Sequence, residues 1–180
     1  MSKEEAIIKL VPAFRQYGYE GATLSLLSQA SGLGKASLYH YFPGGKSEMA
    51  AVVSEYVSDL FEKMVLKTLQ GEGTPELKIQ AMCSSMAEFY KDGKNACFLA
   101  IMSFGEADKL FHDRVKARLQ ELIQALAQVL TETGIKSEIA HKRSLDAIAT
   151  VQGALILVRI LDSTEPFERA LESLPARLLN

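Results

Sequence analysis

The length, composition and charge of the chain already exclude several classes of protein. Its 180 residues are 48% hydrophobic and 23% charged, which provides apolar material for a folded core and lies well outside the disordered range. A formal net charge of -2 excludes a surface that coats nucleic acid as a whole, so any contact with DNA has to be confined to one part of the molecule.

The N-terminus predicts a capped first helix. Ser2 and Glu5 have the spacing of a capping box, and apolar residues follow at helical intervals up to Tyr17. We expect the helix to break at Gly18 to Gly21. The chain begins Met-Ser-Lys-Glu-Glu, with acids where a secretory signal has only basic residues before its apolar core. We therefore expect a cytoplasmic protein.

Two short helices follow, with a tight turn between them. Thr23 can cap the first, whose apolar residues at positions 24, 27 and 30 share one face, and residues 31–34 turn the chain. The second helix spans Lys35 to Tyr41 and ends at the Pro43-Gly44-Gly45 loop. Three short helices within about 45 residues are typical of a helix-turn-helix module.

The rest of the chain predicts six further helices, separated by glycine and proline. We expect them at about residues 47–70, 75–91, 95–104, 111–133, 137–161 and 167–178, with Pro175 bending or ending the last. Alternating strand patterns are absent from the sequence. The sequence therefore predicts an all-α protein of about nine helices.

The helix predicted at residues 137–161 is nearly all apolar from Ala147 onward. Such a helix needs burial on more than one side, and a partner subunit would supply the second side. Thr150, Gln152 and Arg159 interrupt the apolar run, which is shorter than the ~20 residues a membrane helix needs. We therefore expect no contact with a membrane, and a homodimer built from this helix and the one after Pro166.

The helix-turn-helix region lacks acidic residues. No Asp or Glu stands between Gly21 and Ser47, although the chain contains 22 acids. The same segment contains lysines, tyrosines, a histidine and several hydroxyl groups. Because phosphate electrostatics dominate DNA binding, this composition suits a DNA-contacting face, unless the gap in acids is a coincidence.

The order of residues around these helices is also distinctive. It reads Gly18-Tyr19, Thr23, Leu27-Ser28, Ala30-Ser31-Gly32-Leu33-Gly34-Lys35-Ala36, Leu38-Tyr39-His40-Tyr41-Phe42 and Lys46. This nearly gap-free order over the first 50 residues resembles the TetR family of transcriptional regulators. The resemblance implies a helix-turn-helix DNA-binding domain in residues 1–47 and a ligand-binding and dimerisation domain in residues 48–180. It also implies a homodimeric repressor that a small molecule releases from a palindromic DNA operator.

The resemblance further implies two sets of DNA contacts. Thr23, Tyr39 and Lys46 would hold phosphates, whereas Lys35, Ala36, Ser37, His40 and Tyr41 would face the major groove. The alternative for Tyr41 is packing against the fourth helix, and the alternative for His40 is an ordinary surface histidine. Gly34 stands where the family often has a serine cap, and the Pro-Gly-Gly-Lys loop resembles a branch that includes some drug-efflux repressors.

Soft and aromatic side chains in the second domain suit the pocket that the resemblance implies. They are Met82, Met86, Phe89, Phe98, Met102, Phe104 and Phe111. Ordinary core packing is the alternative for each of them. Candidate polar anchors are Gln152, Asn95, Cys97, His112 and Arg159, of which Arg159 has pairing with Asp162 as its alternative. The expected effector is a small apolar molecule.

Other functions are less well supported by the sequence. It contains neither a Gly-rich phosphate loop nor a G-x-S-x-G motif, and its three histidines lie on different predicted helices, so we expect no enzyme, metal site or cofactor. Two alternatives stay open. One is a redox sensor on the same scaffold that uses Cys83 or Cys97. The other is a helical dimer without specific DNA binding.

Overall fold

The computed structural model of the chain describes residues 2–180 and confirms the all-α prediction for them. Its helices are α1 (Lys3–Gly21), α2 (Leu24–Ser31), α3 (Lys35–Tyr41), α4 (Gly45–Phe61), α5 (Lys67–Gln70), α6 (Pro75–Phe89), α7 (Phe98–Ile101), α8 (Gly105–Glu132), α9 (Ser137–Leu161) and α10 (Glu165–Leu179). A π-helical turn, Glu62–Leu66, joins α4 to α5 with helical backbone angles on both sides. Counted as one run, α4 to α5 brings the total for residues 2–180 to nine helices.

The caps predicted at the N-terminal helices are present. Ser2 and Glu5 form the capping box, since each side chain accepts a hydrogen bond from the other residue's backbone N–H. Thr23 caps α2 by accepting a hydrogen bond from the backbone N–H of Leu26 at 3.3 Å. Gly32 ends α2 in the left-handed conformation, with φ of 71°, which a glycine adopts without steric cost. These local interactions fix where α1 and α2 begin and where the turn into α3 starts.

The predicted break after the first helix is confirmed, since the backbone of Gly18 is non-helical, with φ of 65° and ψ of -176°, and only a short turn follows it up to Gly21. The boundaries of α7, α8 and α10 differ from the sequence-based prediction, and α8 begins at Gly105, six residues before the expected start. Helix α7 covers only residues 98–101, because residues 90–97 form a turn in which the Asn95 N–H donates to the Tyr90 carbonyl. Helix α10 continues past Pro175 to Leu179, and the buried Leu174 and Leu178 hold its last turn.

The chain divides into two compact units. The first consists of the residues up to Leu60 together with Phe98–Val115, and the second consists of Phe61–Cys97 together with Lys116–Asn180. The predicted functional boundary between residues 47 and 48 stays a prediction. The compact units differ from it, since α4 belongs to the first unit almost entirely and α8 is shared by both.

The first unit has its own core around α1. This helix packs against α2 and α7, and α2 packs against α3. The large side chains that are fully removed from solvent include Leu10, Phe14, Leu27, Leu38, Phe42 and Met49. Large apolar side chains from each of the first four helices therefore meet in one core, which fixes the angle between α2 and α3.

The second unit is a helical bundle centred on α6, α9 and α10. Helix α10 packs along α9 and also contacts α6, while α6 packs against the π turn and α5. Its most completely buried large side chains are Ile79, Met82, Leu126, Leu130 and Phe167. Gly93, with φ of 89°, lies close to Val158 and Phe167, where a Cβ would come within 3.0 Å of either side chain. The turn after α6 therefore requires a glycine at this position.

Helix α9 is a long helix with many exposed apolar residues. It is long and apolar enough to span a membrane by length and composition, with a mean hydropathy of 1.6 over its most apolar 18 residues. Only 33% of that window is buried within the subunit. The structure thus leaves much of the apolar surface of α9 uncovered in a single chain.

Candidate nucleic-acid interface and apolar cavity

Helix α3 separates its side chains into a buried and an exposed set. Leu38 is fully buried, as are Leu27 of α2 and Phe42 at the end of α3. The predicted base-facing residues Lys35, Ala36, Ser37 and His40 are all exposed. The two helices are thus held through apolar contacts on one side, while the opposite side of α3 presents small and polar groups to solvent.

Two serines fix the turn that leads into α3. The Ser31 hydroxyl is fully buried and donates to the Leu27 carbonyl at 2.8 Å, while the Ser28 hydroxyl donates to the Leu33 carbonyl at 2.6 Å. The N-cap residue of α3 is Gly34, which offers no side-chain hydrogen bond to the helix. The first turn of α3 thus has no capping side chain.

The two tyrosines of α3 lie in different surroundings. Tyr39 is 50% exposed, and its ring edge lies 3.4 Å from the position that a Cβ on Gly45 would take. Tyr41 is half-buried, with its ring 5.7 Å from that of His40 and 6.3 Å from that of Phe42. Tyr39 therefore contacts the loop after α3 and keeps one face exposed to solvent. Tyr41 instead packs mainly against neighbouring rings.

The predicted phosphate contacts Thr23 and Lys46 lie at helix N-termini. The Thr23 side chain is exposed and caps α2. Lys46 lies in the first turn of α4, half-buried, with its Nζ 4.4 Å from the centre of the Tyr19 ring. An ammonium group over an aromatic face is held by cation–π attraction and keeps its positive charge available.

Glu48 fastens the loop between α3 and α4. Its Oε2 accepts a hydrogen bond from the Gly44 backbone N–H at 2.8 Å, and its Oε1 lies 3.2 Å from the Lys3 Nζ. The Gly44 N–H lowers the pKa of the Glu48 carboxyl, and Lys3 adds to this effect. The first acid after the acid-free segment is thus directed at the loop, which positions the backbone next to Lys46. The sequence analysis did not identify this role of Glu48.

The second unit contains a narrow apolar cavity with an open mouth, whose interior of about 20 Å3 has room for about one water molecule. It is lined by Phe61, Met82, Met86, Tyr90, Leu122, Leu126, Ala147, Ile148, Val151, Gln152 and Leu174. Three of the predicted ligand-binding residues, Met82, Met86 and Gln152, are therefore brought together. The lining is hydrocarbon and thioether apart from the Gln152 amide and the Tyr90 hydroxyl, so it suits an apolar molecule with few polar groups.

The other predicted ligand-binding residues are not part of this lining. Phe89 is buried and meets the rings of Phe61 and Tyr90 edge-on at 5.1 and 5.0 Å. Phe98, Met102 and Phe111 are buried in the first unit, whereas Phe104 is 72% exposed. These residues are close in the sequence but do not line one pocket, because the chain passes from the second unit to the first after Cys97.

The remaining polar candidates also lie outside the lining. The Asn95 amide donates to the Phe89 carbonyl at 3.4 Å, His112 pairs with Asp108 on the exposed side of α8, and Arg159 is exposed. Cys97 is buried and receives a hydrogen bond from the Tyr90 hydroxyl at 3.7 Å. Among residues 2–180, no group of three or more His, Cys, Asp or Glu side chains is placed to hold a metal ion.

Comparisons with known proteins agree with this arrangement. Residues 12–53 match the model for bacterial regulatory proteins of the tetR family, and residues 75–173 match the model for the C-terminal domain of LmrA/YxaF-like transcriptional regulators. The HTH-type regulator LmrA of Bacillus subtilis is 22% identical, with 92% of this chain and 90% of LmrA aligned. YxaF of the same organism is 21% identical, with 97% and 93% aligned.

Solved structures of similar fold cover nearly the whole chain. A TetR transcriptional regulator from Legionella pneumophila superimposes with a TM-score of 0.83 at 18% identity, over 98% of this chain and 96% of that one. A TetR transcriptional regulator from Chloroflexus aurantiacus gives 0.79 at 23% identity, over 97% and 92%. With an exposed recognition helix on a buried α2–α3 core and family models covering both parts of the sequence, the chain belongs to the TetR family of DNA-binding transcriptional regulators, with an LmrA/YxaF-like C-terminal domain.

Proposed function

We propose that the protein is a homodimeric repressor that leaves a palindromic operator when a small apolar molecule binds it. The observation that carries the proposal is the exposed, acid-free face of α3 in the same chain as an apolar cavity. In this proposal the major groove is read by Lys35, Ala36, Ser37, His40 and Tyr41, and phosphates are held by Thr23, Tyr39 and Lys46. Because the protein would act by binding DNA, we place it in the cytoplasm together with the DNA.

The uncovered side of α9 supports the dimer. Leu145, Ala149, Gly153, Ile156 and Ile160 recur every three or four residues and are all exposed. Nothing in the subunit lies within 4 Å of the position that a Cβ on Gly153 would take. Small residues at the middle of the stripe let a second α9 approach closely, and burial of the larger ones stabilises association. A two-fold dimer presents two α3 helices to two half-sites, which explains the expected palindromic operator.

The cavity in the second unit would take the effector. Its narrow interior is lined partly by Met82 and Met86, whose flexible thioether side chains adapt to the shape of a ligand. The amide of Gln152 would provide a hydrogen bond to a polar group of an otherwise apolar molecule. We therefore propose a small apolar effector with at least one hydrogen-bonding group.

The helical run from α4 to α5 provides a route from the cavity to the DNA contacts. Phe61, at the end of α4, lines the cavity, while Gly45 and Lys46 begin the same helix directly after α3. An effector that binds one arrangement of this helix more tightly than another shifts the population toward it. Altered positions of α3 in the two subunits would then no longer match successive major grooves.

The proposal is tested by selecting bound duplexes from a random pool and measuring binding as a function of salt. We expect one palindromic sequence to be enriched and bound far more tightly than a scrambled duplex. We also expect Lys46→Ala to weaken binding to both duplexes alike and to reduce the salt slope, because a phosphate contact releases counterions without reading sequence. Equal, weak binding to all duplexes would instead favour a helical dimer without specific DNA binding.

A screen of small apolar molecules by melting temperature tests the second half of the proposal. A ligand that binds only the folded protein raises its stability by mass action. Compounds that raise the melting temperature should lower operator affinity, and operator DNA should weaken their own binding by the same factor. Hits that leave operator binding unchanged would contradict control by an effector. Oxidant-dependent release that is lost in a Cys97→Ser variant would favour the redox alternative.

A further inference from the structure

The last turn of α1 connects the DNA-binding helices to α8. Gly18 has non-helical backbone angles, with φ of 65°, and turns the following residues away from the helix axis. Tyr19 is buried, and its ring meets that of Phe111 in α8 edge-on at 6.1 Å. Glu20 is exposed and reaches the N-terminus of α8, which begins at Gly105.

The Glu20 carboxylate caps α8. Its Oε1 accepts a hydrogen bond from the backbone N–H of Glu106, and this bond is the main reason why the pKa of the Glu20 carboxyl is lowered. The Ala107 N–H adds to the effect. Gly105 leaves room for the carboxylate, because a Cβ at this position would overlap the Glu20 Oε1. A carboxylate at a helix N-terminus satisfies N–H groups that lack a partner within the helix.

Lys46 lies beside Tyr19, the residue that precedes Glu20. The Lys46 Nζ lies over the ring of Tyr19, the neighbour of Glu20, and its positive charge contributes to the lowered pKa of the Glu20 carboxyl. The carboxylate that the first turn of α8 holds is thus next in sequence to the ring that carries Lys46, the lysine to which we assign a DNA phosphate.

We propose that Glu20 is a positioning residue that makes the availability of Lys46 depend on the first turn of α8. While the Glu106 N–H holds the carboxylate, Lys46 stays on the Tyr19 ring and offers its charge to a phosphate. When the first turn of α8 withdraws, the released carboxylate pairs with Lys46, and a phosphate contact is lost. The inference rests on the proposed function only through the assignment of Lys46 as a phosphate contact.

Helix α8 is itself connected to the effector cavity. Leu122 and Leu126 of α8 line the cavity, and the same continuous helix begins at Gly105. A helix transmits a displacement along its length because its backbone hydrogen bonds and packed side chains resist local deformation. A ligand that displaces Leu122 and Leu126 would therefore also displace the residues that Glu20 caps. The link from cavity to Lys46 through α8 is separate from the route through α4.

Two substitutions should release the Glu20 carboxylate from the N-terminus of α8 without changing Glu20 itself. Neither requires an effector. Gly105→Ala places a Cβ where the carboxylate lies, at a backbone conformation that disfavours alanine. Glu106→Pro removes the N–H that Glu20 accepts from, at a first-turn position where proline is tolerated. Glu106→Ala is the matched control, because it removes the same acid and keeps the N–H.

The measurement is the salt dependence of binding to a mixed-sequence duplex by the full-length protein. We expect both release variants to reduce the slope of log K against log salt by about 0.9 per subunit, as the loss of one phosphate contact does, and Glu106→Ala to keep the wild-type slope. Adding Glu20→Gln should restore the slope of Gly105→Ala, since a neutral amide does not neutralise Lys46. In a Lys46→Ala background, the release variants should change nothing.

Three outcomes would overturn the proposal. Wild-type slopes in Glu106→Pro and Gly105→Ala, each confirmed as folded by circular dichroism, would overturn the link between α8 and Lys46. A reduced slope that Glu20→Gln does not restore would show that the release variants act without Glu20, and would also overturn it. If Lys46→Ala alone leaves the slope unchanged, the phosphate assignment in the proposed function is wrong, and the inference falls with it.

Discussion

Cys83 and Cys97 are the residues through which an oxidant would act, and both are buried. Burial raises the pKa of the Cys83 thiol to about 11, because an apolar environment disfavours the charged thiolate. The thiolate is the form that reacts with oxidants and alkylating agents. At neutral pH very little of Cys83 is therefore reactive, which argues against the redox alternative for this residue.

The raised pKa of Cys83 predicts slow, strongly pH-dependent alkylation of the folded protein. In a Cys97→Ser variant, the rate of reaction with iodoacetamide should rise about tenfold per pH unit from pH 7 without a plateau before pH 11, because the thiolate fraction rises in that proportion. The denatured variant is the control and should level off near the ordinary thiol pKa of about 8.5. Rapid labelling of the folded variant at pH 7 would contradict the prediction.

Which residues of α3 are buried and which are exposed was predictable from the sequence. The long-range contacts between helices were not. The apolar spacing of Leu38 and Phe42 identified the buried side of α3, which left Lys35 and His40 to solvent as observed. The cap that Glu20 provides to α8 joins residues 86 positions apart in the sequence. Nothing in local spacing marks such a partner, because it depends on where the fold brings a distant helix to begin.

Among the helices, α9 divides its apolar residues between two faces. Ala147, Ile148 and Val151 line the cavity, while residues at positions 145, 149, 153, 156 and 160 are exposed. The sequence indicated burial on more than one side from composition alone. It did not identify which residues face inward, since Leu155 is buried within the subunit whereas Leu157, two residues later, is 46% exposed.

The exposed stripe of α9 predicts which substitutions separate the dimer. Ile160→Glu places a charge on a residue that is 69% exposed, and Gly153→Leu fills the space for a second helix, so both should give monomers by multi-angle light scattering. Leu77→Glu in α6 is the matched control, since Leu77 is 58% exposed on another helix, and it should remain dimeric. A dimer that persists in both α9 variants would exclude this interface.

The π turn between α4 and α5 could not be foreseen from the apolar pattern. The spacing of apolar residues in this stretch predicts one regular helix from residue 47 to residue 70, and the run is indeed helical throughout. A π turn inserts one residue into a helical turn and shifts the following side chains around the axis. Here it sits directly after Phe61, which lines the cavity, and Arg118 of α8 reaches Glu62 at 3.3 Å. The turn therefore sets the register of side chains at the start of α5.

At the scale of the whole molecule, the sequence predicted the family and the helical class better than the cavity. The family pattern matches one stretch, residues 12–53, because a helix-turn-helix is built from neighbours in the chain. The cavity takes side chains from α4, α6, α8, α9 and α10, which are far apart in the sequence. The grouping of methionines and phenylalanines between residues 82 and 111 therefore combined residues of two compact units.

This division predicts opposite behaviour for Met86 and Phe111, which the sequence had placed in one pocket. Met86 lines the cavity, whereas Phe111 packs against Tyr19 in the first unit. Met86→Ala should cost about 2 kcal/mol of unfolding free energy and should change the affinity of the compound that most raises the melting temperature in the screen. Phe111→Ala should cost more, about 3 to 5 kcal/mol, because it empties a well-packed site, yet it should leave that affinity unchanged. Urea unfolding and calorimetric titration measure the two quantities. Since binding and operator release are reciprocal, Met86→Ala should also shift the compound concentration that releases the operator. Loss of compound binding in Phe111→Ala with none in Met86→Ala would move the effector site to the first unit.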